Sequence, residues 1–136
     1  MPYGGKMKSI LIIDDSEDLL SLLKYAFDTK YKVYTCSSGR KGLYSLLNNN
    51  PDLILLDIMM QGLNGLDVLK LLRTDQFTKN KPIFIISAMV EDSIINKCKE
   101  MGANAFIKKP FQIQKLKEYI DDYFEKNYVS KEFHIM

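Results

Sequence analysis

Acidic residues stand at the ends of two apolar runs, where they could do chemistry together. Asp14 and Asp15 follow a run that ends at Ile13, and Asp57 closes a run that begins at Leu53. Carboxylates held within a few ångströms of one another repel and raise one another's pKa values unless a cation lies between them. Such a cluster suits a hard ion such as Mg²⁺, which prefers oxygen ligands and readily adds a phosphate oxygen.

A hydroxyl group and an ammonium group follow two later apolar runs. Ser87 comes directly after Ile83–Ile86, and Lys109 lies just beyond Ala105–Ile107. Carboxylates for a metal, a carboxylate nucleophile, a hydroxyl and a lysine together form a site for phosphoryl transfer, where catalysis depends mostly on positioning and charge neutralisation. An aspartate can attack phosphorus directly and form an acyl phosphate. The four groups therefore predict phosphoryl transfer to an aspartate, provided that the fold brings them together.

The elements that must position these groups alternate along the chain. Short apolar runs, as expected of strands covered on both faces, are separated by stretches of helical spacing. The runs are Ser9–Ile13, Lys32–Cys36, Leu53–Leu56, Ile83–Ile86 and Ala105–Ile107. The helical faces that we predict are Leu19, Leu22, Leu23 and Ala26; Leu43, Leu46 and Leu47; Val68, Leu69, Leu71 and Leu72; and Ile113, Leu116, Ile120 and Phe124.

This alternation predicts an α/β fold of five strand–helix units, (βα)₅, with helices on both faces of a parallel sheet. Binding sites in such open sheets lie beyond the carboxyl ends of the strands. All the chemically capable residues above follow or close strands. We therefore expect them to gather at one rim of the sheet.

Composition narrows the function classes. The chain has 136 residues, enough for one domain, and its net charge of +2 is too small to indicate a nucleic-acid-binding surface. No apolar stretch reaches the roughly 18 residues of a membrane span, and Cys36 and Cys98 lack the spacing of a zinc site. We expect a cytoplasmic protein with no direct nucleic-acid or membrane partner. Residues 1–6 are predicted to be a leader or tag-like segment, and residues 127–136 a C-terminal tail.

Four motifs identify a family. Asp14-Asp15, Asp57-Ile58-Met59-Met60, Ser87-Ala88 and Lys109-Pro110-Phe111 resemble the receiver domains of response regulators in two-component signal transduction systems. The resemblance covers about residues 7–126. It implies a flavodoxin-like (βα)₅ three-layer sandwich with a five-stranded parallel sheet in the order 2-1-3-4-5.

The resemblance implies a role for each acidic residue. Asp57 would be the phosphoacceptor. Asp57 and Asp15 would bind Mg²⁺ directly, together with the backbone carbonyl of Met59, and Asp14 would act directly or through water. Lys109 would pair with a phosphoryl oxygen.

The resemblance also implies how the signal would spread. Ser87 would hydrogen-bond a phosphoryl oxygen, and Phe106 matches the aromatic position that turns inward when that hydroxyl moves. The Lys109-Pro110 peptide matches the cis bond of the family. The output surface would comprise the fourth helix, the fifth strand and the fifth helix.

The resemblance implies a sensor histidine kinase or a histidine phosphotransfer protein as the phosphoryl donor. The signal would then pass to a downstream protein or to an output domain outside this chain. A homodimer that depends on phosphorylation is also compatible with the family. On this interpretation the protein is not an enzyme for other substrates. It catalyses only its own phosphotransfer and autodephosphorylation.

Three alternatives stay open. A phosphatase of the haloacid dehalogenase type would need Asp-x-Asp after the first strand, whereas the two acids here are adjacent. A flavin-binding module would need a phosphate-cradling loop rich in Ser, Thr and Gly, where this chain has the acidic segment 14–18. A pseudo-receiver would be an interaction surface alone, and such proteins usually lose an acid or the lysine.

Single residues also allow plainer interpretations. The Asp14-Asp15 pair could cap a helix, and Phe106 could be an ordinary core residue. Gln61 and Asn64-Gly65 depart from the commonest family pattern, which questions the rigidity of the loop but not phosphorylation. Met59 and Met89 fall where receivers flank the path of an attacking water. We therefore predict slow autodephosphorylation.

Overall fold

The computed structural model describes residues 7–62, 64–126 and 132–136. The leader predicted at residues 1–6 and the first half of the predicted tail, residues 127–131, lie outside the described residues. Within the part of the chain that is described, no helix is long and apolar enough to cross a membrane.

Strands and helices alternate as predicted. The strands are β1 Ser9–Ile13, β2 Lys32–Cys36, β3 Leu53–Asp57, β4 Ile83–Ser87, β5 Ala105–Lys108 and β6 His134–Ile135. The helices are α1 Glu17–Phe27, α2 Gly39–Asn49, α3 Gly65–Thr74, α4 Asp92–Glu100 and α5 Ile113–Glu125. All strand pairs are parallel, in the order β2-β1-β3-β4-β5-β6. The first five strands have the order 2-1-3-4-5, which confirms the flavodoxin-like fold.

The central strands are buried along their whole length. Every residue of β1, β3 and β4 is buried, since helices cover both faces of the sheet. One hydrophobic core lies between the sheet and α2, α3 and α4, and the other lies between the sheet and α1 and α5. The nearly continuous Ile and Leu runs of these strands follow from this double coverage.

Short polar side chains fix the start of three helices. Ser16 Oγ accepts from Leu19 N at 3.3 Å at the start of α1. Ser38 Oγ caps α2 and Asn64 Oδ1 caps α3 in the same way. These bonds satisfy amide groups that the first helical turn leaves unpaired. Two of the capped helices, α1 and α3, begin just after the acidic residues at the sheet rim.

The predicted helix faces were wrong in detail. In α1 the buried residues are Leu20, Leu23 and Phe27, whereas Leu22 is 51% exposed. The buried set has the spacing i, i+3, i+7 of one narrow stripe, because a helix on a sheet buries a single side. For the same reason Leu47, 85% exposed in α2, lies outside the core face. The predicted α1 face included Leu22 and omitted the buried Leu20 and Phe27, so it was displaced around the helix axis from the buried stripe.

The sheet also has a sixth strand that the sequence analysis did not predict. Two residues of the supposed tail, His134 and Ile135, pair in parallel with Ala105 and Phe106 of β5. A two-residue strand is too short to produce a recognisable pattern of alternation. Residues 132–136 are therefore part of the fold rather than a tail.

Candidate functional site

Three carboxylates meet at the carboxyl ends of β1 and β3. The two strands are neighbours, with Ile13 opposite Leu56, so the acids that follow them lie side by side. Asp14, Asp15 and Asp57 can each contribute one oxygen to a group in which all three atoms lie within 4.8 Å of one another. Asp14 and Asp57 are buried and Asp15 is exposed, which leaves the group one side open to solvent.

Lys109 reaches the carboxylates from beyond β5. Its Nζ lies 2.8 Å from Asp14 Oδ2 and 3.4 Å from Asp57 Oδ2. Its backbone N–H donates to Ser87 O at 2.8 Å, which ties the residue to the end of β4. The Lys109-Pro110 peptide is cis, as the resemblance implied. Burial alone would lower the pKa of Lys109, but the hydrogen bond to Asp14 and the charges of Asp57 and Asp14 outweigh it and raise the pKa.

The Asp57 carboxyl group is held in a low-dielectric environment. Burial raises its pKa to about 6, and the charge of Asp14 adds to the rise. The amide of Met59, which donates to Asp57 Oδ1 at 2.9 Å, and the ammonium of Lys109 oppose the shift without cancelling it. One lysine therefore does not balance the buried acids, and an added cation would favour the ionised form of Asp57.

The loop after β3 is packed closely against this site. A Cβ on Gly65, the first residue of α3, would lie 2.3 Å from the backbone oxygen of Asp57. The Gly65 N–H also lies 3.4 Å from Ile58 O. Only glycine allows this approach, which brings the start of α3 against the end of β3. The Asn64-Gly65 pair therefore contributes to the position of the loop that follows Asp57.

Ser87 lies at the same rim as the acids. It ends β4, whose neighbouring residue Ile86 is opposite Asp57. The side chain is fully buried, and its Oγ accepts a hydrogen bond from Met89 N at 2.9 Å. A movement of Oγ away from the Met89 amide would break this bond, whereas rotation of the hydroxyl hydrogen would not.

Phe106 is fully buried in this structure. It belongs to the core on the α4 side of the sheet, together with Ile85, Ile95 and Cys98. Phe133, next to β6, packs against the same core. The aromatic ring is therefore a core residue in this state, and its role as a switch stays a prediction.

An apolar cleft adjoins the open side of the acidic group. It is lined by Asp15, Ile58, Met59, Met60, Gln61, Asn64, Leu66, Met89 and Ile94. Met59 is 53% exposed and Met89 is half-buried, so both are partly open to solvent at the cleft. The sequence analysis placed both methionines beside the site.

Two features of the site were not anticipated. The sequence analysis assigned Lys109 to a phosphoryl oxygen and did not predict its bond to Asp14, which no spacing along the chain reveals. It also missed Ile94, in the first turn of α4, as a lining residue of the cleft. Ile94 could have been found only by knowing how α4 is rotated on the sheet.

Comparison with known proteins gives consistent results. The sequence model of the family described as "Response regulator receiver domain" matches residues 10–121. Sporulation initiation phosphotransferase F of Bacillus subtilis is 31% identical over 117 residues, which cover 85% of this chain and 93% of that protein. Response regulator SaeR of Staphylococcus aureus is 32% identical over 111 residues, 81% of this chain, and the match spans only 47% of SaeR.

Solved structures are similar as well. The chemotaxis protein CheY4 of Vibrio cholerae aligns with a TM-score of 0.80 and 25% identity, covering 85% of this chain and 98% of that one. A putative response regulator from Chloroflexus aurantiacus aligns with a TM-score of 0.79 and 29% identity, covering 86% of this chain and 97% of the other.

Proposed function

The chain belongs to the response regulator receiver domain family, and from that premise we propose that it is a Mg²⁺-dependent switch phosphorylated on Asp57. One observation carries the proposal. Three carboxylates whose oxygens lie within 4.8 Å of one another adjoin a lysine ammonium at the carboxyl end of a parallel sheet. This is the set of groups that phosphoryl transfer to a carboxylate requires.

The acidic group fits a divalent cation. Asp14 and Asp57 are buried carboxylates that share one lysine, and Asp15 adds an oxygen from the solvent side. Oxygen-only ligands around a partly open position suit Mg²⁺, which keeps several waters. Asp14, Asp15, Asp57 and the backbone carbonyl of Met59 would hold it. The ion would neutralise charge on the transferred phosphoryl group.

The residues of this chain divide the remaining chemistry among them. An oxygen of Asp57 attacks phosphorus, the bond from phosphorus to the donor nitrogen breaks, and the released imidazole takes a proton. Lys109 Nζ, already 3.4 Å from Asp57 Oδ2, can turn to a phosphoryl oxygen. Ser87 Oγ accepts from Met89 N, so its own hydroxyl hydrogen can donate to another such oxygen. These are charge-assisted hydrogen bonds, which are stronger than neutral ones.

Family membership implies a histidine kinase or a histidine phosphotransfer protein as the donor. We propose that the transfer takes place in the cytoplasm and that the protein has no other substrate. The signal would pass to a downstream protein, to an output domain outside this chain or to a second copy of the chain. Family membership argues against the phosphatase and flavin alternatives, whereas a pseudo-receiver is to be excluded by experiment.

The output surface is proposed to be the α4–β5–α5 face. Lys109 follows β5 directly, and Ser87 leads into α4 through the segment 88–91. Movement of either residue toward a phosphoryl group would therefore reach this face first. A shift from 1:99 to 99:1 between two states needs about 5.5 kcal/mol of differential stabilisation. Lys109 and Ser87 are positioned to supply much of it.

The test is phosphorylation by acetyl phosphate in the presence of Mg²⁺. Intact mass spectrometry should show one added phosphoryl group on the wild type and none on Asp57→Asn, because an amide is a poor nucleophile and a weaker metal ligand. Asp67→Asn, which removes an exposed acid in the first turn of α3, is the matched control and should be labelled normally. An unlabelled wild type would indicate a pseudo-receiver. Stable labelling of Asp57→Asn would assign the phosphoryl group to another residue.

A further inference from the structure

The C-terminal residues 132–136 hold the edge of β5 through backbone hydrogen bonds. His134 N donates to Asn104 O at 3.3 Å, and Met136 N donates to Phe106 O at 2.9 Å. In return, Lys108 N donates to Met136 O at 3.0 Å. We call residues Glu132–Met136 the cover strand. It extends the sheet by one short parallel strand.

Side chains of the cover strand reach both faces of the sheet. Phe133 packs against the core on the α4 side, which includes Phe106. Met136 packs against the core on the α5 side, and the His134 ring lies 5.9 Å from that of Tyr119 in α5. The cover strand therefore lies along the middle of the α4–β5–α5 face, which is the proposed output surface.

The two edges of the sheet differ in their need for a cover. The β2 edge carries the exposed residues Lys32 and Thr35, and polar side chains of this kind discourage pairing with another strand. In β5, Ala105, Phe106 and Ile107 are all fully buried. Without the cover strand this edge would lose the partners of its backbone groups and the packing of Phe133 and Met136 on the two cores, and such an edge would form a docking site for a strand.

The cover strand is connected directly to the phosphorylation site. Lys108 donates its N–H to Met136 O, and the next residue, Lys109, donates its N–H to Ser87 O. The side chain of Lys109 binds the carboxylates of Asp14 and Asp57. A movement of Lys109 and Ser87 toward a phosphoryl group therefore acts one residue away from a hydrogen bond that holds the cover strand.

The cover strand is joined to β5 by a short ladder. It contributes two paired residues, whereas β4 pairs with β3 and β5 through four residues each. Short, partly exposed elements open at a lower free energy than central strands. A small displacement of Lys108 would therefore release the cover strand before it disturbed the rest of the sheet.

We propose that the cover strand is an autoinhibitory segment that occupies the α4–β5–α5 face in the unphosphorylated protein and is released when Asp57 is phosphorylated. The inference rests on the proposed phosphorylation of Asp57. Release would expose the β5 edge and the apolar positions now covered by Phe133 and Met136. A partner that binds this face would then meet no competitor from the same chain.

The first experiment establishes the reporter. Hydrogen exchange of the Lys108 amide is measured by NMR in the full, unphosphorylated chain. Met136→Pro removes the N–H that donates to Phe106 O and should speed exchange at Lys108 about tenfold. In Ile135→Pro, the matched control, the lost N–H points away from β5 by the alternation of the ladder, and exchange should stay close to wild type. A wild-type exchange rate in Met136→Pro would overturn the proposed docking.

The second experiment tests the release. The wild type is phosphorylated with acetyl phosphate and Mg²⁺, and the extent is followed by intact mass. Exchange at Lys108 should rise about tenfold on phosphorylation, while central amides such as those of Ile12 and Leu55 stay protected. In Asp57→Asn the same reagents should change nothing.

The outcomes separate this inference from the proposed function. Full phosphorylation with unchanged or stronger protection at Lys108 would overturn the release and leave Asp57 as the phosphoacceptor. Failure to add a phosphoryl group would overturn the proposed function itself, and the release with it. In Met136→Pro, where the cover strand is already free, phosphorylation should add no further exchange at Lys108, and a further rise would contradict the inference.

Discussion

The two flanks of the Asp57 carboxylate differ in charge and in polarity. On one flank the partly exposed Lys109 forms an ion pair with the buried Asp14, and their charged atoms lie 2.8 Å apart. On the other, Met59 and Met89 line an apolar cleft, carry no charge and are partly open to solvent. The charged flank is formed by β1 and the loop after β5, and the apolar flank by the loops after β3 and β4.

This difference separates two steps of a phosphorylation cycle. Accepting a phosphoryl group requires charge neutralisation, which the charged flank and a bound cation would supply. Losing it to water requires a water molecule in line with the bond from the Asp57 oxygen to phosphorus. The side chains of Met59 and Met89 on the apolar flank have no strong hydrogen-bonding group that could orient such a water. The two rates should therefore respond to different residues, and the following predictions test that separation.

The largest effect is expected from Lys109→Met, which removes the ammonium group but keeps a flexible side chain. Phosphorylation by acetyl phosphate should slow about 100-fold, because one preorganised cation is lost from the site. The rate is measured by intact mass at fixed Mg²⁺. Lys108→Met, at the exposed neighbouring position, is the matched control and should react at the wild-type rate. Equal rates in the two variants would show that the charged flank is dispensable.

The second prediction concerns the cation on the charged flank. Mg²⁺ at about 100 times its dissociation constant should stabilise the protein by about 2.7 kcal/mol, because the ion binds only the folded cluster. Asp15→Asn should reduce this gain by weakening one ligand, while Asp18→Asn, an exposed acid on α1, should keep it. The measurement is thermal unfolding with and without Mg²⁺. The same gain in both variants would remove Asp15 from the site.

The charged flank could be predicted from the sequence because strand ends are visible in it. Ile13-Asp14-Asp15 and Leu56-Asp57 show both the buried run and the polar residues that follow it. The topology of a parallel sheet then places these polar residues at one rim. The bond from Lys109 to Asp14 could not be predicted, because it depends on side-chain reach across β3 and β4. The residues that gather at the strand ends can therefore be inferred from sequence, whereas the hydrogen bonds among their side chains cannot.

Other parts of the fold could not be predicted from the sequence, for a different reason. The exposure of Leu22 and Leu71 depends on how far each helix is rotated on the sheet, and leucines on both sides of a stripe look alike in sequence. The hydrogen bonds that pair the cover strand with β5 are made by backbone groups, which every residue except proline possesses in equal measure. Phe133 and Ile135 favour a strand, but two such residues are too few to predict one. Its pairing follows only from the presence of the apolar edge of β5.

The third prediction uses the pKa of Asp57, which burial raises from 3.8 to about 6. A raised carboxyl pKa means that the folded state binds the proton more tightly than the unfolded state does. Without Mg²⁺, stability should therefore fall as pH rises from about 4 to about 6, and the cost should be complete above that range. Asp57→Asn avoids this cost. It should be more stable than the wild type by about 1–2 kcal/mol at pH 7.5 in EDTA, with the difference shrinking toward pH 5.

Urea unfolding of the two proteins at both pH values measures this difference. Asp67→Asn, exposed at the start of α3, serves as the control and should show no such gain at pH 7.5. A wild type that is more stable than Asp57→Asn at pH 7.5 without Mg²⁺ would mean that Lys109 compensates Asp57 fully. The charged flank would then be balanced without a cation.

The smallest effect is expected from the apolar flank. Met59→Asn combined with Met89→Glu places an amide and a carboxylate in the cleft, where each can hydrogen-bond and orient a water near phosphorus. The phosphorylated double variant should lose its phosphoryl group about tenfold faster than the wild type once the donor is removed. This is less than the roughly 10²–10⁴-fold of a fully positioned proton acceptor, because the new side chains would only help to orient a water. Met59 and Met89 only cover the site, so phosphorylation of the variant should proceed at close to the wild-type rate.

The control for this last prediction is Val90→Glu, which adds the same charge one residue beyond Met89, at an exposed position that does not line the cleft. Its phosphoryl group should persist as long as that of the wild type. If Val90→Glu shortens the lifetime as much as the double variant does, negative charge near the site is sufficient and the shielding by methionine is wrong. If the wild type decays as fast as the double variant, water already reaches phosphorus past both methionines, and the apolar flank does not control the lifetime. Decay that is fast only in the double variant would assign the two flanks to separate steps, because the same substitutions would leave the charged flank and its rate of phosphorylation unchanged.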